Sequence, residues 1–380
     1  MITRLLSSVL KESRKSILLL GPRQVGKSTL IESLKPDLIF NLNDDQVFLR
    51  FKSNAGELRE VLNKSHRTVF IDEIQRHPTL LNTLQTIMDS SEFKGKIKFY
   101  ISGSSARKLK RGHANLLPGR LFTYELGPLC AAELGYQLDC KKAMLYGCLP
   151  EVYLEKEIKF IEKLLSSYSG TYLKEEIQAE ALTRNLEGYS RFIFAAAEFS
   201  GHILDFSKLA KLAKIERKLC SRFYEILEDT LLAQQVSVFD KTTADIVKRP
   251  KFYFFDNGVL NGLLNGFALS SDRKGVLFEQ LVANQIAASA KARDVNYKLY
   301  YFRTRAGLEV DFVLEIHGRT VAIEVKTGTV NAQDLKSLKK FQEIYKKLDQ
   351  LYVVTLEANE RTIEGVSILD LNRFLKRIGL

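Results

Sequence analysis

The sequence predicts an α/β protein of several domains, and three observations carry that expectation. The apolar run Ser16-Ile17-Leu18-Leu19-Leu20 feeds a glycine-bearing turn and then a helical pattern. A second run, Thr68-Val69-Phe70-Ile71, has the continuous apolar and β-branched character of a strand buried on both faces. In the last third, Leu308 to Glu315 and Thr320 to Lys326 read as a strand pair joined at His317-Gly318. At 380 residues the chain is longer than one core serves, so two or three are expected.

The first element is a strand, a loop and a helix. The loop reads Gly21-Pro22-Arg23-Gln24-Val25-Gly26-Lys27-Ser28, and the helical pattern opens at Thr29. Glycines at 21 and 26 let the backbone curl its N–H groups around phosphates, Lys27 reaches the β- and γ-phosphates, and the Ser28 hydroxyl can ligate Mg2+. ATP with Mg2+ is therefore the expected cofactor of Gly21 through Thr29.

The second strand ends in Asp72 and Glu73. That placement suits Asp72 to hold the metal beside Ser28, and Glu73 to polarise the water that attacks the γ-phosphate. A third strand, Lys98-Phe99-Tyr100-Ile101, runs into Ser102-Gly103-Ser104-Ser105, so either Ser102 or Ser104 is a candidate γ-phosphate sensor.

With the runs Phe-Ile-Asp-Glu-Ile-Gln and Ser-Gly-Ser-Ser, followed by Leu117-Pro118-Gly119-Arg120 and Leu126-Gly127-Pro128-Leu129, the chain resembles a prokaryotic subclass of the AAA+ ATPases. The resemblance implies a parallel-sheet P-loop core and a catalytic arginine near the phosphate, supplied by a neighbouring subunit. Arg120 is the candidate, Arg107 the runner-up, and a homo-oligomer follows as an expectation. The alternative for either arginine is an ordinary solvated charge.

From about Ala131 to Ala197 apolar residues recur at helical spacing, through Phe160 to Leu165 and again through Tyr172 to Ile177, which suggests a helical lid or connector. Phe206 to Ala213 and Arg217 to Leu227 then outline two short amphipathic helices around a turn, with Thr230 to Val236 and Lys251 to Asp256 as a β-wing. Lys214, Arg217, Lys218 and Arg222 make the second helix basic, as contact with DNA phosphates requires. Two roles stay open for this winged-helix segment, DNA contact and domain connection.

In the C-terminal pair, alternation sets Glu309, Asp311 and Glu315 on one face and Glu324 with Lys326 on one face of the partner strand. Asp311, Glu324 and Lys326 resemble the metal-binding pattern of the PD-(D/E)xK nucleases, and Glu279 in the upstream helical run Gly275 to Val282 matches the further acid of that family. The AAA+ subclass often carries a C-terminal domain of unknown function with the same Glu-Val-Asp-Phe-Val and Ile-Glu-Val-Lys pairing. The resemblance implies a restriction-endonuclease-like α/β domain, not that it cuts. The expected boundaries are 1–135 for the ATPase core, 136–197 for the helical connector, 198–262 for the winged helix and 263–380 for the nuclease-like domain.

Composition narrows the partners. Lys and Arg number 57 against 45 Asp and Glu, a formal charge of +12 and a pI near 9.3, which favours a polyanion, DNA first. No apolar run approaches the roughly 20 residues that span a bilayer, and Met1 to Leu10 lacks the apolar core of a secretory signal, so no membrane partner and a cytoplasmic location are expected. Cys130, Cys140, Cys148 and Cys220 lack zinc-ligand spacing and are expected as reduced, mostly buried thiols. A different class of function also fits the sequence, a nucleotide-dependent switch or scaffold whose C-terminal charges are structural.

Overall fold

The computed structural model describes residues 2–54, 56–62, 65–104, 117, 119–168, 170 and 185–380. The chain forms two compact units. One holds Met1–Gly127 with Asp229–Leu231 and Lys291–Asp294; the other holds Pro128–Glu228, Leu232–Ala290 and Val295–Leu380.

In the first unit α1 (Leu6–Glu12) precedes β1 (Ser16–Leu20), and α2 (Lys27–Glu32) follows the glycine loop. Next come β2 (Leu38–Asn41), α3 (Asp45–Ser53), α4 (Glu57–Val61), β3 (Thr68–Asp72), a 3-10 turn at Ile74–Arg76, α5 (Leu80–Asp89), β4 (Lys98–Gly103) and β5 (Leu121–Glu125). The sheet order is β2-β3-β4-β1-β5, with every neighbouring pair parallel. Because the strands are parallel, the segments after β1, β3 and β4 leave the sheet at one edge, where α/β sheets bind ligands.

Burial explains why these strands are so apolar. All five residues of β1 are buried, while the edge strands β2 and β5 expose part of theirs. Leu80, Leu81, Leu84 and Ile87 recur at three- and four-residue spacing on α5 and join a core with Leu18, Val69, Ile71 and Ile101. Each such side chain contributes about 1.5–3 kcal/mol on burial.

The second unit begins with a 3-10 turn at Ala131–Leu134 and the helices α6 (Cys140–Tyr146), α7 (Pro150–Leu154) and α8 (Ile158–Ser167). The expected helical run from Tyr172 to Ile177 lies outside the described residues. Three helices follow, α9 (Leu186–Glu198), α10 (Phe206–Ala213) and α11 (Arg217–Asp229), then β6 (Ala233–Val238), β7 (Lys251–Phe254), α12 (Asn257–Leu264) and α13 (Ser271–Ala292). The last elements are β8 (Tyr297–Arg303), β9 (Glu309–Ile316), β10 (Arg319–Lys326), α14 (Lys336–Ile344), β11 (Gln350–Thr355), β12 (Arg361–Ile363), β13 (Val366–Asp370) and α15 (Leu371–Arg377).

One sheet of eight strands, in the order β12-β13-β11-β10-β9-β8-β6-β7, spans this unit. The antiparallel pair β6–β7, which the sequence presents as a wing, continues the C-terminal sheet, because Ser237 and Val238 pair in parallel with Tyr300 and Tyr301. His317 and Gly318 both take positive φ, 51° and 73°, in the tight turn between β9 and β10, whose twist matches that of the flanking strands. Phe239, Phe302, Leu338 and Phe341 make the core under α14, with the Phe302 and Phe341 rings 4.5 Å apart.

All four cysteines are free, with Cys130, Cys148 and Cys220 buried. Among the described residues no helix is long and apolar enough to cross a membrane.

Candidate functional site

The loop after β1 is shaped by two tight places. A Cβ on Gly21 would lie 2.3 Å from the Leu126 carbonyl oxygen, so only glycine fits where β1 and β5 converge. Gln24 and Gly26 take positive φ, 60° and 88°, and curl the loop so that successive N–H groups form a concave anion nest. Lys27, 5% exposed, is held over the loop by donating from Nζ to the Gly21 and Pro22 carbonyls at 2.8 Å each. The buried Arg4 guanidinium donates to the Val25 carbonyl at 2.6 Å and to the Gly127 carbonyl at 2.8 Å, pinning the loop from behind. Arg23 and Gly26 are partly exposed, and Gln24 and Thr29 face solvent.

The carboxylates of β3 face that loop. Ser28 Oγ donates to Asp72 Oδ2 at 2.7 Å, and Ser102 Oγ donates to the other Asp72 oxygen. Ser102 also accepts the Glu73 N–H at 3.1 Å, so one hydroxyl fixes both acids at the end of β3. Glu73 itself has φ of 60°, a left-handed backbone that costs a residue with a side chain about 1–2 kcal/mol. That kink opens the 3-10 turn and brings Gln75 back over the Glu73 carboxylate, which accepts from Gln75 Nε2. The same amide nitrogen donates to Ser104 Oγ at 2.8 Å, and Gln75 Oε1 accepts the Ser104 N–H at 3.3 Å.

A second charged cluster belongs to the C-terminal sheet. The β9–β10 pairing runs from Arg319↔Ile316 to Ile323↔Phe312, and just beyond it Asp311 Oδ2 accepts the Val325 N–H at 2.8 Å. Glu324 Oε1 accepts from Lys326 Nζ at 2.8 Å, whereas its buried Oε2 has no hydrogen-bond partner. Glu279, on α13, is engaged elsewhere: it accepts from Lys251 Nζ at 3.1 Å and from Tyr253 Oη at 2.6 Å. Lys251 reaches Glu309 as well, at 2.9 Å, and Arg303 pairs with that glutamate at 3.1 Å. Burial followed by the Glu324 and Glu279 charges pushes the Asp311 carboxyl well above the usual carboxylate range. Burial raises Glu324 too, against the pull of Lys326. For Lys251, burial acts downward but is outweighed by Glu279, Glu309 and Asp311, which hold the ammonium above the ordinary lysine value.

The structure thus brings Asp311, Glu324 and Lys326 onto adjacent strands with Glu279 on the neighbouring helix. Among the described residues no group of three or more His, Cys, Asp or Glu side chains stands in a metal-holding arrangement. The Lys251 ammonium and the Tyr253 hydroxyl occupy one oxygen of Glu279.

Residues 13–135 match a family model described as an AAA domain. The matched segment holds the phosphate loop and all five strands of the parallel sheet. Two further models, both domains of unknown function, match residues 137–270 (DUF8612) and 274–374 (DUF4143). Two relatives, the uncharacterized proteins Rv2008c of Mycobacterium tuberculosis and Mb2031c of Mycobacterium bovis, are each 26% identical over 321 residues, covering 82% of this chain and 70% of theirs. Among solved structures, a Thermotoga maritima RuvB variant overlaps at a TM-score of 0.29 and 16% identity, over 61% of this chain and 86% of that one. Domain III of the Thermotoga maritima replication initiation protein DnaA overlaps at 0.25 and 15%, over 55% and 88%. Overlaps this loose carry no argument about function.

The match to an AAA domain supports an ATPase-type nucleotide-binding function, and the structure gathers Gly21 to Ser28, Asp72, Glu73, Ser102 and Ser104 at one sheet edge. Ser28 and Asp72 fit a magnesium ion: two hard oxygen donors stand side by side at the mouth of the loop, and Mg2+ binds through one or two carboxylates while keeping waters. Arg120 lies elsewhere. It immediately precedes β5, whose first residue pairs with the first residue of β1, so it sits at the edge opposite the loop, about 16 Å away at 3.3 Å per strand residue. There it makes a two-pronged pair with Asp89, Nε to Oδ1 at 2.8 Å and Nη2 to Oδ2 at 2.7 Å. Arg107 and Pro118 lie outside the described residues.

Arg4 and Gln75 are site residues that the sequence reading missed. Gln75 stood in view in the Asp-Glu-Ile-Gln run but had no role assigned. Arg4 has no local signal, since the Val25 and Gly127 carbonyls it reaches are 21 and 123 residues away.

Proposed function

We propose that this chain binds ATP with Mg2+ at the AAA domain, hydrolyses it, and couples hydrolysis to the binding or processing of DNA. The observation that carries the reading is the Ser28–Asp72–Ser102 network, which sets a metal-ligand pair and the Glu73 carboxylate together beside the loop. Bound magnesium supplies electrophilic stabilisation of the γ-phosphate oxygens. Lys27 and the loop N–H groups neutralise and orient the triphosphate, Ser28 and Asp72 hold the ion, and Glu73 takes the proton from the attacking water. Arg120, remote from the loop of its own chain, serves in this reading only from a neighbouring copy, which makes a homo-oligomer part of the proposal.

The DNA half is supported by the second unit. Lys208, Lys211, Lys214, Arg217, Lys218 and Arg222 are exposed along α10, the turn and α11, the spacing of a helix-turn-helix face that meets phosphates. The nuclease-like reading of Glu279, Asp311, Glu324 and Lys326 is supported by their placement on one helix and two strands. It favours DNA as substrate or track.

One observation favours a second reading, a nucleotide-dependent switch whose C-terminal acids are structural. Lys251, 5% exposed, already balances Glu279 and Glu309. A single experiment separates the two: ATP turnover with and without single-stranded, duplex and branched DNA, with gels of the same DNA read for cuts. Magnesium-dependent cutting that disappears in Asp311→Ala and survives in Lys27→Ala supports the processing reading. No cutting and no stimulation by DNA supports the switch.

A further inference from the structure

Gln75 is 5% exposed, and both hydrogens of its amide nitrogen are engaged. Of the two hydrogens on Nε2, one goes to the Glu73 carboxylate and the other to Ser104 Oγ, while Oε1 accepts the Ser104 N–H. A Cβ on Gly103 would lie 3.1 Å from Oε1, so the glycine at the end of β4 lets the amide lie close against the strand. The two serines at that edge therefore have separate connections. Ser102 fixes Asp72 and the Glu73 backbone; Ser104 reaches the Glu73 side chain through Gln75.

We propose that Gln75 is a positioning residue for ATP hydrolysis, holding the Glu73 carboxylate at the angle from which it takes the proton of the attacking water and linking it to Ser104. The inference rests on the reading of Glu73 as the group that activates water. In that step the water oxygen bonds to the γ-phosphorus, its proton passes to Glu73, and the bond to the β–γ bridging oxygen breaks with its electron pair leaving on ADP. A carboxylate with free torsions spends little time aligned for such a transfer. A buried amide that donates to it, and is itself anchored on the strand, removes that freedom. Glutamine suits the place because it offers two donors without adding charge beside a triphosphate, whereas a glutamate of the same shape would set one carboxylate against another.

The test uses the full chain and two variants, Gln75→Leu, which removes the amide, and Gln75→Glu, which keeps its shape and removes its donors. Equilibrium binding of a fluorescent ATP analogue and steady-state turnover are measured on each. Both variants are expected to lose about tenfold to a hundredfold in kcat while the affinity for nucleotide stays within about twofold. Ser104→Ala should lower kcat as well, and Gln75→Leu with Ser104→Ala should be no slower than Gln75→Leu alone, since both cut one chain of hydrogen bonds. In a Glu73→Gln background Gln75→Leu should change nothing. Wild-type kcat in either Gln75 variant overturns the inference, as does an affinity loss equal to the kcat loss, or losses that multiply in the double variant. Absence of turnover in the unaltered chain strikes the hydrolysis reading itself, an outcome distinct from a Gln75 variant that turns over normally.

Discussion

Lys251 and Glu279 form an ion pair at 3.1 Å in which the lysine side chain is 6% and the glutamate 20% exposed. The two residues come from β7 and α13, and Glu309 on β9 shares the same ammonium at 2.9 Å. A buried charge of this kind is costly when its partner is removed, whatever the pair is worth intact.

Lys251→Met should therefore destabilise the second unit by about 3–5 kcal/mol, because Glu279 keeps its charge and loses its cation while Glu309 is left to Arg303 alone. Adding Glu279→Gln should recover part of that loss. Urea unfolding followed by a probe in the C-terminal sheet measures both; equal midpoints for Lys251→Met and the unaltered protein would show that the pair has no structural weight.

Lys27→Ala should abolish tight binding of ATP, whereas Glu73→Gln should retain ATP and stop turnover. In the proposed reading the first removes a phosphate ligand and the second only the group that takes the proton. Nucleotide binding and phosphate release measured side by side separate them. Loss of binding in both variants would sink the division of roles.

Gly21→Ala tests the loop without touching a charge. The new methyl would meet the Leu126 carbonyl at 2.3 Å, a backbone atom that cannot swing aside, so β1 and β5 must shift apart. The expected result is an ATP affinity at least about tenfold lower in a protein that still unfolds cooperatively, as a roughly 1 Å displacement of a phosphate cradle requires.

Asp256 gives a pH dependence with a definite sign. It caps α12 with Oδ1, which accepts from Gly258 and Val259, and its Oδ2 accepts the Cys148 N–H at 2.6 Å. Burial nevertheless dominates and raises its carboxyl from 3.8 to about 6. The folded state thus holds a proton that the unfolded chain releases, so the contribution is full below pH 4 and is lost as pH rises through 6. The loss is about 3 kcal/mol for a shift of about two pH units. Unfolding midpoints from pH 4 to 7 should fall more steeply in the unaltered protein than in Asp256→Asn; parallel curves would contradict the assignment.

If α10 and α11 meet DNA, affinity should fall steeply with added salt, because each lysine or arginine on a phosphate releases a counterion. Lys214→Glu with Lys218→Glu should weaken binding to all duplexes alike and reduce the salt slope by about 2. A flat salt response would remove this face from consideration.

The parts of the fold that were legible are those whose burial writes itself into sequence. β1 and β3 are buried on both faces, so Ile17 to Leu20 and Val69 to Ile71 show as unbroken apolar runs. The β9–β10 hairpin shows as alternation interrupted by His317-Gly318. What stayed illegible depends on backbone angles and long-range meetings. Gln75 reaches Glu73 only because residue 73 is left-handed, which no apolar pattern announces. Lys251 lies on a strand that reads as an aromatic wing, and its partner Glu279 is 28 residues on. Arg120 appears beside a plausible phosphate motif, but the parallel register of β5 with β1 carries it to the far edge, where Asp89 meets it.

That register has a consequence for the newborn chain. Leu20, the last residue before the phosphate loop, is flanked by Gly103 on one side and Glu125 on the other. A ribosome releases the loop long before either neighbour exists, and non-local pairing of this kind is slow to close. If the chain binds ATP as proposed, that capture is acquired late in synthesis, only after β5 has emerged. A truncated product ending before Leu121 would carry the complete phosphate motif and still lack the strand that flanks Leu20 and brings the Leu126 carbonyl against Gly21.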